Sequence, residues 1–462
     1  MAFLERNANR GSVSTGYDID NSVKLQTAGV NSEFFNKSYS SAGNRETWTF
    51  STWVKRTEIG SNNYLLDAYK NSNTWFILGF SDVDDIVLYD IISGTDYGKR
   101  TTAVYRDTSA WYHIVFVSDT TNGTAGDRQR LYVNGVRVTD FDSDYGDPPS
   151  GYDGSVNDAI VHSIGYRTDG NSSFNGYLAE TILVDGTALD PTDFGEFDSA
   201  TGIWKPIEIT DTSFTWGTNG LWLKYDNAAS MGANSAGTGG FSVQNVNQND
   251  QATDTPTNNF CTWNPLWTFP IPRTISEGAT NVDGSSAWGG VKGSIGVTNG
   301  KWYWENKASG NDTIIGWQTD NVTPPSGTNA HNIIDTVALY QDGNYVWIKD
   351  STSGRNDTTA SGTNASGQIM GFALDLDSSP QTATFYRNGS AIASDVNIDG
   401  ATGKTLFPMM SQYNQNAETN FGGYTTFTIS SAATDENGYG TFEYAPPSGY
   451  YALCSKNLAE YG

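Results

Sequence analysis

The sequence predicts an all-β protein built as two antiparallel β-sandwiches in tandem. Aromatic residues are abundant, with 14 Trp, 25 Tyr and 21 Phe in 462 residues, and they favour pleated, half-buried surfaces over amphipathic helices. Apolar and polar residues alternate in short runs, the period of a strand with one buried face. Fifty glycines supply the positive-φ positions that tight hairpins require. Disordered chains lack this aromatic content.

Taken in order, the run 48–56 places Trp48, Phe50, Thr52 and Val54 on one face and Thr49, Ser51, Trp53 and Lys55 on the other. Further strands are predicted over 74–80, 86–92 and 111–117. A polar loop at 118–129 leads into 130–138, where Asn134–Gly135 between apolar residues marks a tight hairpin. A strand over 176–185 precedes Asp190–Pro191, an N-cap and first-turn pair that predicts one short helical turn. Nothing longer reads as helix. Residues 206–285 are rich in turn formers around a strand at 220–225, and they read as an ordered, extended connector. This divides the chain into a first domain over 1–205, the connector, and a second domain over 286–462. The second domain shows alternation at 300–307, 336–341, 344–350, 368–377 and 382–389, with a hairpin at Asn388–Gly389 and a closing extended segment at 446–454. No short-period repeat points to a propeller or solenoid.

A net charge of −25 repels phosphate backbones and argues against a nucleic-acid partner. The two cysteines, Cys261 and Cys454, form neither a disulfide framework nor a metal knuckle, and are expected as small buried thiols. The first twenty residues lack an apolar leader, and no run of 18 apolar residues occurs. Cytosolic synthesis without membrane insertion is the expectation.

The segments FSTWVKR at 50–56, WYHIVFV at 111–117, RLYVNGVRV at 130–138 and FNGYLAETILVDGTAL at 174–189 resemble the laminin-G-like, concanavalin A-like jelly roll. GKWYWE at 300–305, IIGW at 314–317, GFALDLD at 371–377, ATFYRNG at 383–389 and NFG at 420–422 resemble a SPRY-type sandwich. YDIDNSVKLQ at 17–26, SSAGNRETWTFSTWVKR at 40–56, DPTDFGEF at 190–197 and DTPTNNFCTWNPL at 254–266 are similar to a group of phage-encoded proteins. That resemblance implies a virion component, either a tail fibre or spike or a capsid-surface protein, made in the host cytoplasm. It further implies other virion proteins as partners, a host-surface glycan as ligand, and a homo-oligomer, trimeric if a fibre. A stand-alone lectin-like module is the alternative. The stretch 423–443 interrupts the spacing usual in similar proteins, and could serve as a subunit or receptor contact.

Concanavalin A-like folds include glycosidases, so paired carboxylates matter. Glu196 and Asp198 begin a fitting pattern, but Thr201 stands where a final Glu is required. Glu180 and Asp185 differ by an odd number, which puts them on opposite faces of a strand. Asp375 and Asp377 share a face but read as hairpin residues. Of His113, His162 and His331, the first reads as structural, and no nucleophile–base cluster can be argued. Asp140, Asp142 and Asp144 are spaced like the start of a calcium loop. Gly146, however, comes one position late, and Gly151 replaces the closing Glu. Asp82, Asp84 and Asp85 read as a turn. Trp48, Trp111, Trp302, Trp304 and Phe385 are expected in the core. The sequence thus predicts no catalytic residues, no metal site and no cofactor, and assigns no ligand-binding residue.

Overall fold

Alternation in the first half resolves into two sheets stacked face to face. The computed structural model describes residues 16–27, 31–170, 172–237, 239–310, 312–320, 329, 335–340, 345–349, 355–360, 366–398 and 403–462. His331 and the first fifteen residues lie outside them. The chain divides between Thr257 and Asn258 into two compact units.

In the N-terminal unit, a back sheet orders the strands Val136–Arg137, Gln129–Val133, Trp111–Asp119, Thr47–Arg56, Gly176–Asp185, Ser22–Leu25 and Gln251–Ala252, with Leu221–Leu223 also pairing to Gly176–Asp185. A front sheet orders Phe141–Asp144, Lys99–Val104, Asp85–Ile92, Thr74–Phe80, Asn63–Asn71, Val161–Ile164, Phe34–Ser38 and Ser242–Gln244. Every pairing in both is antiparallel, as the alternating pattern requires. Phe50, Val54, Ile114 and Phe116 of the back sheet meet Phe76, Leu78 and Leu88 of the front sheet in one core. Trp48 seals it, edge-on to Phe76 at 5.4 Å. The hairpin at Asn134–Gly135 has φ of 48° and 76°, the left-handed pair that this dipeptide favours.

The outer face of the back sheet is covered. Val115, Val117, Ile182 and Val184 project away from the sandwich core and are buried beneath Phe194, Ile209, Trp216 and Trp222. Trp216 and Trp222 stack at 5.7 Å. Beside them, Lys55 Nζ lies 2.6 Å from Asp254 Oδ2, and Trp111 Nε1 donates to Asp254 Oδ1 at 3.0 Å. Both charges are fully buried. Trp111 therefore belongs to this outer layer, whereas Trp48, Trp302, Trp304 and Phe385 lie in the two central cores.

This layer corrects the expected connector at 206–285. Its first part supplies strands Leu221–Leu223, Ser242–Gln244 and Gln251–Ala252 to the N-terminal unit. Its second part supplies Trp263–Phe269, Thr274–Ser276 and Asn281–Asp283 to the C-terminal unit. Leu221–Leu223 falls within the strand expected at 220–225, whereas Ser242–Gln244, Gln251–Ala252, Thr274–Ser276 and Asn281–Asp283 have only two or three residues, too few to display alternation.

The C-terminal unit is a second sandwich. One sheet runs Trp263–Phe269, Gly289–Gly293, Leu406–Gln412, Thr313–Thr319, Thr336–Tyr340, Tyr345–Lys349 and Arg355–Thr359. The other runs Thr274–Ser276, Asn281–Asp283, Ala417–Asn420, Lys301–Ala308, Ile369–Asp375, Thr382–Arg387 and Ser390–Asn397. Trp304 sits at the centre, stacked on Phe372 at 4.4 Å and edge-on to Trp263 and Trp317 at 5.7 and 6.2 Å. Cys261 joins this core, while Cys454 lies under Tyr303 and Phe442. Both thiols are buried and unbridged.

The closing segment departs from the expected single strand. Tyr451–Ala452 pairs in parallel with Lys301–Ala308, and an α-helix follows over Ser455–Tyr461. The helix has only seven residues, fewer than hydrophobic periodicity needs to become visible. Its Leu458 and Tyr461 pack on the core. The stretch 423–443 is in large part a cover. Glu305 accepts hydrogen bonds from the Glu443 and Tyr444 amides at 3.0 and 2.9 Å and from Asn420 Nδ2 at 3.2 Å. These bonds clip the end of the stretch to the sheet, and Phe442 is buried edge-on against Tyr303 at 5.3 Å.

Removing Asp254 would take the ion-pair partner from the buried Lys55 ammonium within the back-sheet layer. Breaking such a pair costs about 3–5 kcal/mol. Asp254→Ala is accordingly expected to lower the urea midpoint of the N-terminal unit sharply. A midpoint unchanged from the parent would contradict the clamp.

Candidate functional site

The front sheet carries a different outer face, built from aromatic and polar residues. Directly opposed residues of paired strands share a face, so the register defines rows across the sheet. One row reads Tyr89, Ile77, Asp67, Ser163, Asn36, Ser242, and a second reads Ile91, Trp75, Tyr69, Val161, Ser38. Tyr64 lies opposite Gly79, where a side chain would strike the Asn63 and Tyr64 backbone. Gly98 does the same for Tyr89, since a Cβ there would meet the Tyr89 ring at 2.3 Å. Gly98 thus lets the Tyr89 ring lie against the sheet, and Gly79 permits the close approach of the Asn63–Tyr64 backbone.

The rings form a line. Tyr145 is 6.1 Å from Tyr89, and Tyr89 is 6.2 Å from Trp75, centroid to centroid. The Arg167 guanidinium then lies 4.7 Å from the Trp75 ring and 5.7 Å from the Tyr64 ring. Tyr145 is 55% exposed, whereas Trp75 and Tyr89 are half-buried, which leaves aromatic surface in contact with solvent.

A rim rises beside this line. After the Val161–Ile164 strand, the chain turns back over the face, stacking Tyr166 on Phe34 at 4.1 Å. Arg167 pairs with Asp169 at 2.9 Å, and the Thr168 amide and hydroxyl both donate to Asp67 Oδ2 at 3.1 and 2.5 Å. Asp67 is fully buried, and its Oδ1 has no hydrogen-bond partner among the described residues. Burial pushes its carboxyl up to about 7, against the pull of the Thr168 bonds. The face thus combines stacking surface, a held guanidinium and a polar rim. That combination suits a ligand with apolar ring faces and hydroxyl edges.

Groups with catalytic potential sit elsewhere, and each is committed. Ser51 Oγ and His113 Nε2 lie 2.8 Å apart on the outer face of the back sheet, a pairing that sequence reasoning did not find. Trp204 Nε1 donates to His113 Nδ1 at 3.0 Å, which places the imidazole proton on Nε2. That nitrogen therefore donates to Ser51 and cannot take its proton, so the serine is not activated. Burial lowers the imidazole to about 3, and Trp53 stacks on it at 4.5 Å. His162 is also buried, and its Nε2 accepts the Asn157 amide at 3.0 Å.

Glu180 sits at a β-bulge with φ of 46°. Burial raises it to about 7, and Tyr17 donates to it at 2.6 Å. Asp185 instead receives the Asn44, Thr218 and Asn219 amides at 2.7, 2.8 and 2.9 Å, so the two acids share no partner. Glu196 and Asp198 belong to a surface hairpin, not to the helical turn expected at 190–197. Lys205 Nζ lies 3.3 and 3.2 Å from them. Bonds from Thr201 and Lys205 hold Asp198 down at about 2, the wrong direction for a general acid. The short turn itself forms over Pro191–Asp193. Asp375 and Asp377 cap the hairpin by accepting the Ser378 and Gly300 amides at 2.9 and 2.8 Å.

Asp142 and Asp144 lie on the extended strand Phe141–Asp144 rather than in a loop, Asp140 precedes it, and Asp144 pairs with Lys99 at 3.2 Å. Asp84 is clamped between Arg56 and Arg106, each at 2.8 Å, and Asp85 pairs with Arg100 at 2.9 Å within the expected turn. Among the described residues, no three His, Cys, Asp or Glu side chains converge as a metal site.

Residues 31–193 match the family described as the concanavalin A-like lectin/glucanases superfamily. No curated protein matches the chain. Among solved structures, a putative carbohydrate binding protein from Bacteroides ovatus shares 16% identity, covering 49% of this chain and 60% of that one, with a TM-score of 0.32. The native heptameric SAP-like pentraxin from Limulus polyphemus shares 14%, covering 38% and 80%, at 0.29. The SPRY domain of human HERC1 shares 18%, covering 34% and 96%, at 0.27. The chain is all-β, and its N-terminal unit contains a concanavalin A-like, lectin-type fold.

Four buried carboxyls, Asp67, Asp90, Glu180 and Glu305, are raised by burial to about 7, against roughly 4 in an unfolded chain. Between those values the folded state binds more protons than the unfolded one, so stability falls as pH rises. Melting is expected at a higher temperature at pH 5 than at pH 8, and Glu305→Gln should flatten the slope for the C-terminal unit. A melting temperature that climbs from pH 5 to pH 8 would contradict this assignment.

Proposed function

We propose that the N-terminal unit binds a glycan across the Tyr145–Tyr89–Trp75 line without cleaving it, and that the chain is a phage particle component meeting the host surface. The aromatic line with its Arg167 and Thr168 rim is the observation that carries the glycan reading. Sugar rings stack on such platforms, and ring-to-ring steps near 6 Å are comparable to one pyranose unit. The lectin/glucanase match over 31–193 supports the same reading. Binding without turnover is favoured by the tautomer at Ser51–His113 and by the depressed Asp198.

The particle role rests on the similarity of 17–26, 40–56 and 254–266 to phage-encoded proteins. In this reading the chain is made in the host cytoplasm, assembles with other virion proteins, and forms a homo-oligomer, a trimer if it builds a fibre. Finding the polypeptide in purified virions by mass spectrometry would support that role, and its absence would leave a stand-alone lectin-like module.

Trp75→Ala is expected to weaken glycan-array binding about tenfold or more, the loss of one aromatic contact worth on the order of 1.4 kcal/mol. Release of reducing ends from the bound polysaccharide should stay at background. Undiminished binding by Trp75→Ala would reject this face as the site, and steady release of reducing ends would reject the non-catalytic reading.

A further inference from the structure

The C-terminal unit carries a second aromatic surface that no sequence signal marked. On the outer face of its Lys301–Ala308 sheet, one row reads Asn420, Glu305, Gly371, Tyr386, Ala391. The adjacent row reads Tyr303, Ala373, Thr384. Tyr386 therefore stands between a glycine and an alanine, with another alanine diagonal to it, and its ring lies edge-on to Tyr303 at 6.4 Å. The Gly371 position is obligatory, since a Cβ there would lie 2.5 Å from the Tyr303 hydroxyl.

Chain from outside the sheet walls this small-residue floor. Tyr444, just past the clip made by Glu305, lies against the Asn388–Gly389 hairpin, where a Gly389 Cβ would meet its ring at 2.6 Å. Tyr450, from the closing segment, packs with Tyr386 on the cluster of Tyr303, Ala373 and Phe442. Lys301 Nζ lies 5.7 Å from the Tyr450 ring and is already paired with Asp375 at 2.8 Å. The Tyr386, Tyr444 and Tyr450 rings are half-buried, and their hydroxyls make no hydrogen bond to the protein among the described residues.

We propose that this trough is a second saccharide site, taking a neutral sugar. It rests on the reading of the chain as a glycan binder. Tyrosine supplies flat contact area and a hydroxyl at little conformational cost, and three unengaged phenols around a shallow floor match a ring bearing several hydroxyls. The rim cation is neutralised by Asp375, and exposed Asp395 couples electrostatically to Tyr386 and Tyr450. The local field thus disfavours sulfated or uronic sugars. The stretch 423–443 and the closing segment acquire a purpose in this arrangement, since together they position two of the three tyrosines. Two sites on one chain would also raise avidity for a polysaccharide long enough to reach both.

The test uses the full chain on an array of neutral and sulfated oligosaccharides. Neutral-sugar signal should persist in Trp75→Ala and fall at least tenfold further when Tyr386→Ala or Tyr450→Ala is added. Tyr450→Phe, which keeps the ring and the packing, should lose several-fold. If Trp75→Ala alone removes all signal, or the tyrosine variants bind as the Trp75→Ala parent does, the second site is overturned while the first stands. If the unaltered chain binds no oligosaccharide, both fall.

Discussion

A sandwich of two sheets has two outer faces, and a strand buried on both sides needs a cover over one of them. In the N-terminal unit that cover is residues 188–236 together with Asp254. They bury Val115, Val117, Ile182 and Val184, and Asp254 pairs with Lys55 while accepting a hydrogen bond from Trp111. In the C-terminal unit the cover is the stretch before Tyr444, clipped by Glu305. Which face is covered decides which face can work. The covered back sheet locks Ser51, His113 and Glu180 away from solvent, and the front sheet keeps its aromatic line at the surface.

This constraint explains why candidate chemistry ends in structural roles. His113 is held by Trp204 on one nitrogen and Ser51 on the other, sandwiched by indoles. Asp185 gathers amides from two separate loops, and Asp84 gathers two arginines. Acids that look like ligands along the sequence become capped turns or ion pairs once the chain folds. The aromatic faces, by contrast, leave Tyr145 open to solvent and three C-terminal phenols whose hydroxyls make no hydrogen bond to the protein among the described residues.

Much of the fold was legible because long strands advertise their faces. The assignment of Trp48, Phe50 and Val54 to the inside follows from period two alone, and the left-handed φ values at Asn134 and Gly135 follow from their chemistry. The connector was misjudged because strands such as Ser242–Gln244 and Gln251–Ala252 are defined by what they pair with, not by their own pattern. The front-sheet site was invisible for a related reason. Tyr64, Trp75, Tyr89 and Arg167 come from three strands and a loop, and only register brings them together. Gly98, which makes room for the Tyr89 ring, lies outside every strand expected from the sequence. A cue did exist, since Trp75 and Tyr89 sit on the faces of their strands opposite to Phe76 and Leu88.

The account stands on the front sheet being the working face of the N-terminal unit. Hydrogen–deuterium exchange with and without a bound oligosaccharide reads that directly. Added protection is expected in the strands Asn63–Asn71, Thr74–Phe80 and Asp85–Ile92 and in the turn around Arg167, with the back-sheet strands Thr47–Arg56 and Trp111–Asp119 unchanged. Protection confined to the back sheet or to the Asp140–Asp147 segment would contradict it.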